Sequence, residues 1–295
     1  MASREILIRA TAQATPMYTM NCFKLVDSLC NELNTKMRNF WWGQRDKERK
    51  MAQIAREKMC TLKVEGGMGF KDLKAFNLAL LAKQGWRITQ DSVSLAHRVL
   101  KAKYFPDSNF LEAQLGKNPS YTWRSLVAAR GVLNRGLRWN TGNGQKARIW
   151  TDGWIPTPNS FMVVSPQPQN FENELMLILL DCDLGRWNTS AVKNNFLPHE
   201  SETILSIPIS QSLPDDALVW VWTKKGNFTM KSAYHVAHGW LVEGRDIRGG
   251  GEESNMNKKR EFWKTIWGLT CPSKVIHFMW RACKNILPTN FCLCL

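Results

Sequence analysis

The sequence runs to 295 residues, 44% hydrophobic and 22% charged, a balance that supports a packed core and excludes wholesale disorder. Its net charge of +15 is uneven: residues 1–150 hold 26 Lys/Arg against 11 Asp/Glu, whereas residues 151–295 hold 14 of each. Such an excess in one half is what a surface that binds a polyanion and releases its counterions requires.

The opening segment, MASREILIRA, carries Arg4 and Glu5 where a secretory leader would be apolar. The longest apolar run, Leu175 to Leu180, is too short to cross a bilayer. An intracellular protein of nucleus or cytoplasm with no membrane association is therefore expected, its eight scattered cysteines reduced. Residues 3–14 favour helix, which Pro16 should end. From Lys24 to Trp42, Leu25, Leu29, Leu33, Met37 and Trp41 recur every four residues and predict one apolar stripe. The charged connector GQRDKERK (43–50) follows. The glycines of EGGMGF (65–70) read as a structural turn, since no Lys-Ser/Thr pair follows to make a phosphate loop. Residues 71–88 are apolar nearly all round and predict a helix at the centre of a domain. Further helices are expected over 92–104, with Ala96, Val99 and Leu100 inward, and over 120–135.

Gly142, Asn143 and Gly144, between Trp139 and Ile149, predict a hairpin over 138–150. Prolines 156, 158, 166 and 168 read as a loop or linker at a domain boundary. Residues 216–230 alternate, placing Trp220 and Trp222 on one face of a strand, with a turn at Lys225-Gly226-Asn227. Ser232 is a candidate cap for the next helix. Residues 244–260 are polar and Gly-rich and read as flexible. Two last helices flank Pro272, the second with a stripe at Val275, Met279, Ala282 and Ile286. The fold class is α+β, predominantly helical with a few β-hairpins in two or three subdomains.

Catalytic motifs are missing from the sequence. Asp215-Asp216 and Glu252-Glu253 are adjacent acids, but neither lies on the tight strand turn that holds two metal ions in a polymerase, and both pairs read as solvated. Cys292 and Cys294 are spaced C-x-C with no second pair, and His235 and His238 lack Cys or carboxylate partners, so no metal site is assigned. Basic and aromatic residues do interleave. Arg38, Trp42, Arg45, Lys47, Arg49 and Lys50 form one such run beside Trp41. Arg135, Arg138, Lys146 and Arg148 form another with Trp139 and Trp150, and Lys101 and Lys103 lie on the helix between them. Cations with stacking platforms suit sequence-independent binding of RNA or DNA, although each tryptophan taken alone reads more simply as core.

Several long phrases, among them REILIRATAQATPMYTMNCF, EGGMGFKDLKAFNLALLAKQGWR, GLRWNTGNGQKARIWTDGWIP and FWKTIWGLTCPSKVIHFMWRACKNILPT, resemble plant LINE-type (non-LTR) retrotransposon reverse transcriptases. They match, in order, the region downstream of the polymerase palm. The resemblance implies a helical thumb-like segment over 1–60, a basic connection region over 61–160, a poorly defined linker over 161–215 and a truncated reverse-transcriptase zinc-binding domain over 216–295. In that family a C-x-x-C pair and a later His/Cys pair follow the LPT phrase at some distance. Here LPT is Leu287-Pro288-Thr289, near the end of the sequence, and Cys292 and Cys294 have the wrong spacing. The resemblance therefore implies no zinc and no other cofactor here. It also implies that the palm and its catalytic aspartates lie outside the chain, leaving a non-catalytic fragment that binds nucleic acid through its basic N-terminal half. The alternative is a domesticated nucleic-acid- or protein-binding adaptor built from the same module.

Overall fold

The computed structural model describes residues 2–43, 52–157, 161–168, 174–243 and 253–287. In chain order it contains α1 (Ala2–Leu7), α2 (Met17–Cys22), α3 (Asp27–Trp42), α4 (Arg56–Cys60), α5 (Leu73–Gln90), α6 (Leu95–Tyr104), α7 (Tyr121–Asn134) and β1 (Leu137–Asn140). Then come β2 (Leu180–Asp181), β3 (Arg186–Trp187), α8 (Thr189–Asn195), α9 (Pro198–Ser206), β4 (Ala217–Trp220), α10 (Met230–Glu243), α11 (Glu253–Trp267) and α12 (Ser273–Cys283). The fold is mostly helical α+β, with two short antiparallel sheets among the described residues, β1–β4 and β2–β3. The chain divides into two compact units, each discontinuous in sequence. Unit 1 comprises 1–84, 115–129 and 237–295; unit 2 comprises 85–114 and 130–236.

In unit 1, α1 passes into a π-helical turn at Ile8–Ala12, and Pro16 caps α2. The buried face of α3 is Cys30, Asn34, Met37 and Trp41, joined by Trp42, and Leu29 of the expected stripe is 40% exposed. A step of four overshoots a helical turn by about 40°, so a strict four-residue stripe winds off the core, whereas alternating steps of four and three stay on it. The helix closes on Gly43, in the left-handed conformation that a Cβ would strain. The expectation for α5 is met: from Leu73 through Ala82 all but one or two side chains are buried. In α12 the buried pair is His277 and Trp280, and Val275 is exposed, so the apolar stripe expected there is also rotated. Trp41 packs edge-on against both Phe70 and His277.

In unit 2, the hairpin expected over 138–150 does not form. β1 instead pairs with β4, Leu137 opposite Trp220 and Asn140 opposite Ala217. β4 ends at Trp220, which is buried with its ring over Gly136, where a Cβ would collide with it. Trp222 lies beyond the strand, exposed, and its Nε1–H donates to the Arg135 carbonyl at 3.1 Å. Thr229, not Ser232, starts α10: its Oγ1 accepts from the Ser232 N–H, while the Ser232 hydroxyl oxygen accepts from Trp220 Nε1–H at 2.8 Å. No residue of α6 is buried, and Val99 and Ala96 face outward; His97 faces in, with Nδ1 2.8 Å from the Ile88 carbonyl.

Much of the stretch expected to be a linker is folded. Met176, Leu179, Leu180, Trp187, Val192, Phe196 and Ile204 share one core with Ala147, Ile149, Trp150, Trp154 and Ile155. Trp150 stacks on Phe196 and Trp154 on Trp187. The buried Glu200 carboxylate fixes residues 164–165 by accepting from the N–H groups of Val164 and Ser165 and from the Ser165 hydroxyl. The Gly-rich expectation over 244–252 lies outside the described residues; 253–260 belong to α11.

Candidate nucleic-acid interface

Dividing the charge by unit changes its apparent location. The spans of unit 1 hold 26 Lys/Arg against 13 Asp/Glu, a net +13, whereas those of unit 2 hold 14 against 12. The C-terminal segment, neutral when averaged with its sequence neighbours, therefore adds four net positive charges to the basic unit.

The sequence-derived cations fall in both units. Arg38 and Trp42 lie on α3 of unit 1, Arg38 half-buried and Trp42 packed in the core at 6% exposure. Arg45, Lys47, Arg49 and Lys50 lie outside the described residues. The other six belong to unit 2. Lys101 and Lys103 are exposed on the last turn of α6, with the Lys103 ammonium 5.3 Å from the Tyr104 ring. Arg135 donates to the Gly131 carbonyl, and burial of the Arg138 guanidinium on β1 pushes its pKa down. Lys146 pairs with Asp215 at 2.6 Å and Arg148 with Glu112 at 3.3 Å.

The loop that presents Lys146 and Arg148 owes its shape to Asp216. This carboxylate was expected to be solvated, but it is buried. Oδ1 accepts from the N–H groups of Gly142 (2.7 Å) and Gly144 (2.9 Å), and Oδ2 from those of Lys146 (2.8 Å) and Ala147 (3.2 Å). The GNGQKA segment wraps around one anion because glycines let the backbone amides converge on it. Asp215 remains at the surface, held by Lys146 and by Asn143 Nδ2 at 3.1 Å. Both members of the acidic pair are thus engaged by protein donors.

In unit 1 the EGGMGF turn is structural, with Gly66 and Gly69 at positive φ. It gathers a set of cations not singled out from sequence. Arg9 donates to the Met68 carbonyl and Arg260 to Glu65, and Lys63 lies 4.2 Å from the Trp267 ring centroid. Trp280 Nε1–H donates to the Gly66 carbonyl at 3.0 Å. Beneath the turn, Glu5 accepts from His277 Nε2–H at 2.8 Å and pairs with Arg9 and Lys63 at 3.0 and 3.1 Å. Burial alone would raise the Glu5 pKa, but the His277 hydrogen bond, with Lys63 and Arg9, overrides it and holds the carboxyl at about 2. These residues come from positions 5 to 281; their proximity leaves no trace in local spacing. Lysines and arginines of α11 and α12 could have been suspected only by knowing that this segment packs on the N-terminal one.

Among the described residues the free thiols are Cys22, Cys30, Cys60, Cys182, Cys271 and Cys283. No helix among them is long and apolar enough to cross a membrane.

No protein-family profile and no solved structure matches this sequence. An uncharacterized mitochondrial protein of Arabidopsis thaliana is 43% identical over 143 residues, covering 48% of this chain and 93% of that protein. A second Arabidopsis thaliana protein, named "Putative ribonuclease H protein", is 28% identical over 299 aligned positions. That alignment takes in 98% of this chain but 45% of the relative, so the chain spans less than half of that longer protein. The high coverage and identity of the first match place this chain in the same family as the uncharacterized mitochondrial protein of Arabidopsis thaliana.

Proposed function

We propose that this chain is a non-catalytic, retrotransposon-derived module that binds RNA or DNA independently of sequence, corresponding to the region after the palm of a LINE-type reverse transcriptase. The observation that carries this reading is the concentration of charge: unit 1 holds +13 of the +15. A folded unit with that excess attracts a polyanion and gains entropy by releasing condensed counterions. Two further observations support it. The longer relative carries the name of a nucleic-acid enzyme and aligns with nearly all of this chain. The acidic pair Asp215-Asp216 is occupied by backbone amides, a lysine and an asparagine, so it is spent on structure.

The test is fluorescence anisotropy of the full chain with labelled single-stranded RNA, single-stranded DNA and duplex at several salt concentrations. Binding should weaken linearly in a log–log plot, with a slope of about −0.7 per phosphate contacted on single strands and −0.9 on duplex. Sequence changes in the probe should shift affinity little. Absence of binding at low salt, or affinity unchanged by salt, would overturn the proposal. Primer extension on a primed RNA template should yield no product, and template-dependent synthesis would refute the non-catalytic part.

A further inference from the structure

Three lysines from separate elements of unit 1 converge beside the glycine turn. Lys58 lies on α4, Lys259 on α11 and Lys284 immediately after α12. Lys284 is half-buried, its ammonium 4.9 Å from the centroid of the Trp263 ring. A Cβ on Gly66 would fall 2.5 Å from that indole and 2.7 Å from the Lys284 nitrogen, so the missing side chain is what lets the lysine and the ring sit against the turn. Burial first, then repulsion from Lys259 and Lys58, pushes the Lys284 pKa down. Among the described residues no carboxylate pairs with any of the three, and the nearby Glu65 is taken by Arg260 at 3.3 Å. Like charges gathered by the fold, one of them desolvated, are unfavourable alone and become favourable when an anion sits among them.

We propose that Lys58, Lys259 and Lys284 form a phosphate-binding site that holds one or two backbone phosphodiesters of a bound nucleic acid. This rests on the nucleic-acid-binding reading above and names a contact point for it. A phosphodiester fits because each phosphate presents acceptor oxygens to ammonium donors from several directions, and lysine serves phosphate as a compact point charge. Such a site carries no base recognition. It also draws two of its three cations from the C-terminal third of the chain, which sequence averaging makes neutral.

The experiment compares K259Q/K284Q with the charge-matched K36Q/K117Q in the full chain, using a single-stranded RNA probe. Lys36 and Lys117 are exposed lysines of the same unit outside the cluster. K259Q/K284Q should weaken binding about tenfold at low salt and flatten the salt slope by roughly 1.4, from 0.7 per lost phosphate contact. K36Q/K117Q should do markedly less. Melting of K259Q/K284Q should be unchanged or slightly higher, because repulsion has been relieved. Should that variant fold poorly, K58Q alone, on an exposed position, should flatten the slope by about 0.7. Equal losses in the two double variants would show diffuse charge only and overturn the site. So would full binding by K259Q/K284Q, and either result leaves the nucleic-acid reading standing. Failure of the unmodified chain to bind RNA would sink both. Phosphatidylglycerol vesicles form the last arm: if they bind through these lysines in preference to RNA, the ligand assignment is wrong.

Discussion

Replacing Asp216 with alanine tests the account of the loop in unit 2. Four backbone N–H groups, of Gly142, Gly144, Lys146 and Ala147, would lose a charged acceptor at 2.7–3.2 Å. A hydrogen bond to a charged group is worth roughly 1.5–3 kcal/mol net. Simple addition overstates the loss, because the loop can open and let water reach its amides, so a destabilisation of about 3–5 kcal/mol is expected. That is a large share of the roughly 5–15 kcal/mol that holds a domain together. D216N should be nearly as damaging. It keeps an oxygen for one pair of amides but turns an NH2 donor toward the other pair. Urea unfolding followed by circular dichroism measures the energy, and hydrogen exchange of residues 142–147 measures the local effect. A loss under about 1 kcal/mol with amide protection intact would show that the carboxylate does not organise this loop.

Other substitutions address the remaining buried groups. Gly66→Ala places a methyl against Trp263 and Lys284 at a φ of +84°, so a loss of about 1–3 kcal/mol is expected in thermal melting. Glu200→Ala strands the amides of Val164 and Ser165 and should cost about 2–3 kcal/mol, read from the urea midpoint at constant slope. The Glu5 carboxyl, with its pKa lowered from 4.5 to about 2, contributes stability that is fully present above pH 4.5 and is lost as pH falls toward 2. The upper bound is about 3 kcal/mol. In E5Q the acid limb of the stability–pH curve should flatten over that window, and an unchanged limb would refute the assignment.

The helical character of the chain was legible in the sequence because helix formation is largely local. Good helix formers, apolar residues three and four apart, and Pro16 and Gly43 at the ends located α1 to α3. The continuous apolar run at 73–82 announced a buried helix. The exact buried face was less legible. In α3, α6 and α12 the predicted stripes were rotated from the observed ones, since periodicity states that a face exists while its neighbours decide which face is used. β1 was misread for a related reason. GNG is good hairpin chemistry, but those glycines serve to wrap amides around Asp216, some seventy residues away.

By itself the sequence determined the total charge, the helical class, the absence of a recognisable catalytic motif and the order of phrases that resemble a reverse-transcriptase tail. Tertiary structure alone decided where the charge resides. A sequence average groups residues by chain distance, whereas an electrostatic field depends on distance in space. Folding joins 237–287 to the N-terminal segment, makes one unit strongly basic and leaves the other nearly neutral. It also sets Lys58, Lys259 and Lys284 beside one another and removes Asp216 from water, and both outcomes depend on contacts between residues far apart in the chain.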